Sequence, residues 1–237
     1  QWLSDHLQGP KVLLTPSCTA ALEMCALLLN LLPGDEVIVP SYTFVTSASA
    51  FALFGARLVF ADIRLDTLTL DPDQVRRLIT PRTRAVVTVH YAGITHDPSS
   101  LVDLCKDHQI TLIEDAAHAL GSSFEGRPLG TFGSLSTFSF HESKNFSSGE
   151  GGALVINDAS LCGRAEILRE KGTNRSALLR KEVGKYTWVD VGSSYLASDL
   201  TAAALLAQFD DYAAIQNRRH VLWNRYQAEL SYWSASR

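Results

Sequence analysis

The residue best suited to take part in a reaction is Lys144, in the stretch SFHESKNFSSGEGG at residues 139–152. An apolar, strand-like run over residues 135–140 leads into this stretch, and Gly-Glu-Gly-Gly at residues 149–152 ends it with a turn. A lysine that follows a buried strand can lose its proton through desolvation. A neutral amine is the form that makes a Schiff base with a carbonyl. The alternative is a solvated loop lysine, since most lysines are exposed.

A second candidate is a helix start rich in small and hydroxyl residues, TPSCTAAL at residues 15–22. The free backbone N–H groups of such a start, together with the positive end of the helix dipole, suit a phosphate group. This would place Cys18 and Thr19 beside the phosphate. The plainer alternative is an N-cap that serves only the helix.

Two titratable residues follow the apolar run at residues 110–114, in the sequence IEDAAH at residues 113–118. A carboxylate at a strand end, here Asp115, could hold a pyridine nitrogen protonated and so make the ring an electron sink. His118 could contact a phenolic oxygen. The alternatives are a helix N-cap for Asp115 and a satisfied histidine near the core for His118.

An aromatic segment, PSYTFV at residues 40–45, follows another strand-like run. An aromatic side chain at a strand end can stack on a planar ligand. Taken alone, however, the pattern favours a core position for these rings.

Alternating strand-like and helix-like runs must position these candidates. Pro33-Gly34 and Gly55 end two predicted helices, and Asp71 with Pro72 begins another as N-cap and first residue. Predicted strands cover residues 36–40, 57–63, 84–91, 110–114, 134–140 and 153–156, and predicted helices cover residues 19–32, 46–54, 72–79, 98–108, 159–171 and 199–230. The alternation predicts an α/β fold with a mostly parallel sheet covered on both faces. Ligands bind such sheets at the carboxyl ends of the strands.

The composition narrows the class of protein. The 237 residues are 46% hydrophobic and 19% charged, which is typical of one large or two small globular domains. A net charge of −4 without a long basic run argues against nucleic-acid binding. No apolar run reaches the length of a membrane span. The four cysteines lack a C-x-x-C pair or metal-ligand spacing, which favours reduced thiols in a cytosolic protein.

Together and in this order, the segments resemble the DegT/DnrJ/EryC1/StrS family of pyridoxal-phosphate-dependent sugar aminotransferases. The resemblance covers residues 12–208 and rests on the pattern S-F-H-x-x-K-N-x-x-x-G-E-G-G, on Asp115 with His118, and on Gly93 in VHYAG. It implies a three-layer α/β/α large domain of the aspartate aminotransferase-like type (fold type I), with pyridoxal 5'-phosphate as cofactor.

The resemblance also implies roles for individual residues. Lys144 would hold the cofactor as a Schiff base and move protons between substrate carbon and cofactor. Asp115 would pair with the pyridine nitrogen, and His118 would contact the ring hydroxyl. The remaining contacts would be a ring stack from Phe44 and a phosphate site made by the backbone of Cys18 and Thr19 with the Ser139 hydroxyl.

A cross-subunit contact is implied as well. Ser193 and Ser194 lie where relatives often place an Asn that reaches the phosphate of the other subunit, so we expect Ser194 to contribute to cofactor binding in a homodimer. The polar segment 181–194, which has no obvious strand or helix of its own chain to join, supports the same expectation.

Four segments carry a narrower resemblance, to the transaminases that make dTDP-4-amino-4,6-dideoxygalactose in enterobacterial common antigen synthesis. These segments are residues 139–144, 169–176, 185–188 and 192–196. They imply a cytoplasmic enzyme that transfers an amino group from L-glutamate to C4 of dTDP-4-keto-6-deoxyglucose.

Relatives are longer at both ends, and residues 231–237 do not resemble them. We therefore expect residues 1–207 to form the cofactor-binding domain without its first segment, and residues 208–237 to begin a helix leading to an absent small domain. Two alternatives stay open: a nucleotide-sugar aminotransferase with another carbon or stereochemistry, and a silent or regulatory relative. A dehydratase of the family, which the resemblance suggests has His instead of the cofactor lysine, is disfavoured by Lys144.

Overall fold

A computed structural model describes residues 1–235, which are built around a seven-stranded sheet in the order β1-β9-β8-β5-β4-β2-β3. A short hairpin, β6 with β7, lies apart from it. The strands are β1 (Lys11–Thr15), β2 (Glu36–Pro40), β3 (Arg57–Ala61), β4 (Thr83–Val89), β5 (Thr111–Asp115), β6 (Ser123–Phe124), β7 (Arg127–Pro128), β8 (Leu135–Ser139) and β9 (Gly152–Ile156).

Six of the seven strands run in one direction, and β9 runs antiparallel between β1 and β8. The carboxyl ends of β1, β2, β4, β5 and β8 therefore share one edge with the amino end of β9. The predicted α/β fold with a mostly parallel sheet is confirmed. Strand β2 has the predicted bounds, and all five of its residues are buried, as expected for an inner strand with helices on both sides.

Helices cover both faces of the sheet. They are α1 (Trp2–His6), α2 (Cys18–Leu28), α3 (Thr46–Ala52), α4 (Pro72–Leu78), α5 (Ser99–Asp107), α6 (Cys162–Arg169), α7 (Arg175–Leu179), α8 (Asp199–Asp210) and α9 (Tyr212–Ala235), with 3-10 turns at Tyr91–Gly93 and Ala159–Leu161. Helices α2, α3 and α6 share a core with one face, to which Val87 of β4 belongs. The neighbouring Val86 points into the opposite core, with α4 and α5. This alternation gives the three layers.

Several predicted elements differ in their bounds. Asp71 caps α4 as predicted, because its Oδ1 accepts a hydrogen bond from the Asp73 N–H at 2.9 Å. The helix predicted over residues 199–230 is instead two helices, α8 and α9, separated at Asp211. The helix predicted over 159–171 is a 3-10 turn followed by α6. Strand β1 was not predicted at all.

The segment 181–194 does have partners within its own chain, which corrects the expectation from its sequence. Thr173 forms a β-bridge with Trp188, and Glu170 forms one with Ser194. The N–H groups of Val189 and Asp190 both donate to the Gly172 carbonyl, at 2.8 and 3.1 Å. The segment is therefore held against the loop that follows α6.

The division predicted after residue 207 falls inside α8, since that helix continues to Asp210. Phe209, just beyond the division, is buried and its ring stacks on Trp2 of α1 at 4.1 Å between centroids. The proposed small domain stays a prediction, and residues 236–237 of its first helix lie outside the described residues. Among residues 1–235, no helix is both long and apolar enough to cross a bilayer.

Candidate active site

A cavity of about 210 Å³ opens at the edge of the sheet where the carboxyl ends of the parallel strands meet. Seven of the eight sequence-predicted site residues line it: Cys18, Thr19, Phe44, Asp115, His118, Ser139 and Lys144. The eighth, Ser194, is exposed and does not line this cavity. Its predicted contact with a second subunit stays a prediction.

The first turn of α2 forms one end of the cavity. Ser17 caps the helix by accepting a hydrogen bond from the Ala20 N–H at 3.1 Å, while Cys18 and Thr19 begin it. Gly152, the first residue of β9, packs so closely here that a Cβ atom would collide with the backbone of Ser17 and Cys18. The glycine thus lets β9 lie against the start of α2, a helix of eleven residues, and the start of such a helix suits a phosphate.

Asp115 ends β5 and is 4% exposed, with both carboxylate oxygens fixed. Its Oδ2 accepts a hydrogen bond from the Ser47 hydroxyl at 2.6 Å, and its Oδ1 accepts one from the Ala117 N–H at 3.1 Å. Ser47 in turn shares a hydrogen bond with the Thr43 hydroxyl at 2.7 Å. The sequence reasoning missed Ser47; its one signal is a hydroxyl four residues after Thr43 near a helix start.

Lys144 lies on a loop closed by its own backbone. The Phe140 N–H donates to the Gly151 carbonyl at 2.8 Å, and the Ser148 N–H donates to the Phe140 carbonyl at 2.9 Å. Phe146, two residues after the lysine, is 1% exposed and anchors the loop in the core. The amine is therefore presented by a tethered loop, which limits the positions it can take.

His118 lies directly beside that amine, with 2.8 Å between its Nε2 and the Lys144 Nζ. Its Nδ1 accepts a hydrogen bond from the Ala92 N–H at 3.1 Å. Burial lowers the pKa of His118, and the positive charge of Lys144 lowers it further, while Asp115 opposes the shift. The imidazole is therefore neutral near pH 7. Sequence reasoning chose His118 but gave no hint of its contacts with Ala92 and Lys144.

The aromatic side chains of Phe44 and Tyr91 also line the cavity. Phe44 is 66% exposed, so the alternative that it belongs to the core is wrong. The rings of Tyr42 and Tyr91 lie 4.7 Å apart, and Tyr91 meets the His118 ring edge-on at 5.1 Å. A planar ligand could rest against Phe44, and that stacking contact stays a prediction.

A buried hydrogen-bonded pair, Glu114 with His90, fixes the strand end from the other face of the sheet. Glu114, the neighbour of Asp115, lies 2.8 Å from the Nε2 of His90, and both side chains are 1% exposed. The Glu114 carboxylate also accepts hydrogen bonds from the N–H groups of Gly130, Phe132 and Gly133. This network ties β4, β5 and the loop before β8 together beneath the cavity.

The groups around the cavity fit pyridoxal phosphate. Its phosphate would suit the α2 start, its aldehyde needs a primary amine such as Lys144, and its ring nitrogen needs a carboxylate such as Asp115. These three features come from separate elements and face one space. The close approach that Gly152 permits is part of the same fit.

Solved structures identify the class of protein to which this fold and site belong. The Streptococcus pneumoniae protein Spr1654, assigned as a sugar aminotransferase, is similar in its PLP-form, with 32% identity and a TM-score of 0.87 over 97% of this chain and 62% of that one. The aminotransferase TlmJ of Streptoalloteichus hindustanus gives 33% identity and a TM-score of 0.88, covering 96% and 61%. Helicobacter pylori PseC, an aminotransferase involved in the biosynthesis of pseudoaminic acid, gives 29% and 0.86, covering 96% and 60%. The class is the pyridoxal-phosphate-dependent aminotransferases.

The model of the DegT/DnrJ/EryC1/StrS aminotransferase family matches residues 1–235, and the chain belongs to that family. The match extends beyond residues 12–208, and it includes residues 231–235, so the expectation that the last residues do not resemble the family is wrong for these five. The chain spans less than two thirds of the length of the similar structures.

Proposed function

We propose that the intact protein transfers an amino group from L-glutamate to C4 of dTDP-4-keto-6-deoxyglucose. The products would be dTDP-4-amino-4,6-dideoxygalactose and 2-oxoglutarate. The observation that carries the proposal is the meeting of Lys144, Asp115 and the α2 start in one cavity. Pyridoxal phosphate bound there supplies the electron sink that stabilises negative charge on the carbon that loses its proton.

The residues of the chain would divide the remaining work. Lys144 would take the proton from the carbon that bears the amine and return it on the cofactor side. Its tethered loop would limit how far the Nζ moves between the two positions. Asp115, held by Ser47 and Ala117, would keep the ring nitrogen protonated. His118 would donate to the ring oxygen.

Two further groups would fix the cofactor in place. The N–H groups of Cys18 and Thr19, with the Ser139 hydroxyl, would bind the phosphate. Phe44 would cover the open face of the ring and exclude water from it. A cofactor held at both its phosphate and its ring keeps the reacting atoms close together, so little further entropy is lost when they react. These contacts would therefore raise the rate of proton transfer.

The choice of sugar rests on the narrower resemblance in residues 139–144, 169–176, 185–188 and 192–196. The last three segments are held together by the bridges from Thr173 to Trp188 and from Glu170 to Ser194. Trp188 is 76% exposed and lies outside this chain's cavity. We propose that this surface completes the site of a second subunit in a cytoplasmic homodimer, and that Ser194 contacts the phosphate there.

Two measurements test the proposal in order. Borohydride reduction with the cofactor, followed by peptide mapping, should put the pyridoxyl group on Lys144; a label on another lysine would contradict the site. Mass and NMR analysis of the full-length enzyme's product should then give an axial amine at C4. Amination at C3, or an equatorial C4 amine, would keep the family and reject this sugar. If unreduced full-length enzyme shows no turnover although a parallel sample takes the label on Lys144, the silent relative is favoured.

Sedimentation tests the second subunit. The full-length protein at micromolar concentration should sediment as a dimer. A full-length monomer that turns over normally would reject the cross-subunit role of Ser194.

A further inference from the structure

We propose that Gln208 is a positioning residue for Lys144, because it holds the backbone that follows the lysine and so fixes where the amine lies against a bound cofactor. Gln208 belongs to α8, and neither it nor any other residue of 199–219 lines the cavity. The proposal rests on the proposed function in one respect, the binding of pyridoxal phosphate by Lys144. It adds the junction between α8 and α9 to the parts of the chain on which the site depends.

The three residues that follow Lys144 all contact these two helices. The Asn145 side-chain carbonyl accepts a hydrogen bond from the guanidinium of Arg219 in α9. The Ser147 N–H donates to the side-chain carbonyl of Gln208 at 2.8 Å. The backbone on the C-terminal side of the lysine is therefore held by α8 and α9 together.

Phe146, the residue between these two contacts, packs into a cluster of rings at the junction of the helices. It stacks on Tyr212 with 5.0 Å between the ring centroids and 11° between the ring planes, and it meets Phe209 at 5.9 Å. Phe209 is the residue that stacks on Trp2 of α1. The position of the lysine loop is therefore tied to the position of the junction.

The bond to Gln208 supports a part of the loop that the loop does not close by itself. The ends of the loop are joined by their own backbone, as at Phe140 and Gly151. The Ser147 N–H lies between those ends, and its acceptor comes from a different helix. A partly buried N–H that loses its acceptor costs more than the loss of an exposed bond. Removal of the Gln208 oxygen should therefore loosen the loop more than removal of the Arg219 bond.

The first turn of α9 also contacts the turn that follows His118. A Cβ atom at Gly121 would lie 2.5 Å from the Tyr212 hydroxyl and 2.5 Å from the Gln216 amide nitrogen, so the helix packs tightly against this turn. The same helix thus contacts the segments that carry the imidazole and the lysine amine, whose Nε2 and Nζ atoms are 2.8 Å apart.

Schiff-base formation depends on this placement of the amine. In that step the amine nitrogen forms a double bond to the aldehyde carbon of the cofactor, and the aldehyde oxygen leaves as water with the two amine hydrogens. Because the reacting atoms must meet at a set distance and direction, extra freedom of the loop makes the step less favourable. Pyridoxamine phosphate has an amine in place of the aldehyde and forms no bond with Lys144, so its binding does not depend on the loop in this way.

The test compares the two forms of the cofactor on the cofactor-free full-length protein, without any sugar. The dissociation constant of pyridoxal phosphate is measured from the visible absorption of the Schiff base, and that of pyridoxamine phosphate from its fluorescence. Gln208→Met keeps the length of the side chain and removes the acceptor. It should weaken binding of pyridoxal phosphate by about fivefold to tenfold, the effect of one lost hydrogen bond, and change binding of pyridoxamine phosphate by less than about twofold.

Gln208→Glu is the matched control, since its carboxylate can still accept from the Ser147 N–H. It should keep the ratio of the two dissociation constants within about twofold of the wild type. Arg219→Met, a change on the exposed side of α9, should shift the ratio in the same direction as Gln208→Met by a smaller factor of about two to three. The proposal is overturned by an unchanged ratio in Gln208→Met (or in Arg219→Met, should Gln208→Met not fold), by an equal loss for both forms of the cofactor, or by a Glu variant as weak as the Met variant.

Hydrogen exchange distinguishes a failure of this proposal from a failure of the proposed function. In the cofactor-free protein, the peptide spanning residues 145–149 should exchange faster in Gln208→Met than in the wild type or Gln208→Glu, and equal exchange would show that Gln208 does not hold the loop. This measurement needs neither cofactor nor sugar. A borohydride label on another lysine would reject the role of Lys144 without changing the exchange result, and a different sugar product would change none of these outcomes.

Discussion

Replacing Glu114 with glutamine exchanges one carboxylate oxygen for an amide nitrogen where every neighbour is a hydrogen-bond donor. Oε1 accepts from the Phe132 and Gly133 N–H groups, both at 2.6 Å. Oε2 accepts from the Gly130 N–H at 2.9 Å and faces the His90 Nε2 at 2.8 Å. Glutamine can place its oxygen at only one of these positions, and its NH₂ group must then face donors at the other.

The cost follows from the better of the two placements. With the amide oxygen at the Oε1 position, the NH₂ group meets the Gly130 N–H, which loses its acceptor. His90 can accept at Nε2 only by moving its proton to Nδ1, which is buried and has no hydrogen-bond partner among the described residues. Two unsatisfied buried donors and the loss of charge-assisted bonds amount to about 3–5 kcal/mol. For a chain of this size, that corresponds to a Tm lower by about 10 °C.

The effect should depend on pH with a fixed sign. Burial alone would raise the pKa of Glu114, but the hydrogen bonds from His90, Gly133 and Gly130 outweigh it and hold the pKa below its usual value. The stabilisation is therefore fully present above the unfolded pKa, about 4.3, and is lost as the pH falls through the folded value. The stability difference between wild type and Glu114→Gln should be constant from pH 7 to about 5 and shrink below about 4.3.

Urea unfolding followed by circular dichroism measures this difference at each pH. Glu125→Gln makes the same chemical change on an exposed residue of the β6–β7 turn and should alter stability by less than about 0.5 kcal/mol. A Glu114→Gln variant as stable as this control at pH 7, or a difference that grows on acidification, would refute the reasoning.

Three further predictions concern the site and its support. Asp115→Asn should lower transamination by roughly 10²-fold or more with an unchanged circular dichroism spectrum, because the neutral amide cannot keep the pyridine nitrogen of the cofactor protonated. Unchanged turnover would mean that Asp115 serves only to cap the turn that follows it. Gly152→Ala should weaken cofactor binding by at least about tenfold in a fluorescence titration, because the new Cβ must push Ser17 away from the phosphate site at a typical cost of about 1–3 kcal/mol. Equal affinity of the variant and the wild type would mean that the phosphate does not bind beside β9. Arg164→Ala should lower the free energy of unfolding by about 1–3 kcal/mol in urea, because the guanidinium bonds the last carbonyls of α2 and the Asp190 carboxylate; a loss no greater than that of an exposed Arg→Ala change would mean these bonds contribute nothing.

The parallel part of the fold could be predicted because its signal is local. Strands β2, β4 and β5 are short runs of β-branched and aliphatic residues between recognisable helix starts and stops. Strand β1 is also mostly apolar, but its partner β9 begins only at Gly152, far along the chain, so no neighbouring alternation marks it. The break at Asp211 was missed because residues on both sides of it favour helix.

In the site, too, only the residues that have a local sequence signal could be predicted. Residues carried by a sequence pattern, such as Lys144 and Asp115, do line the cavity. Ser47 and Ala92 had no pattern, since their roles depend on where a helix and a turn are packed by the tertiary structure. A serine in α3 has the sequence appearance of an ordinary helix residue until the fold brings it to Asp115.

The order in which the chain is synthesised gives the β1–β9 pairing one more consequence. Thr15 pairs with Gly152 across most of the cofactor domain, so the edge of the sheet closes only after residue 156 has left the ribosome. Contacts this distant in sequence form slowly, because a long loop must close before any pairing compensates for its entropy. The helix start at Ser17 therefore lacks one wall until β9, the last strand of this sheet in chain order, has been made. We expect pyridoxal phosphate to bind only chains in which β1 and β9 have paired. Cofactor binding by a nascent chain would therefore report that its sheet is complete.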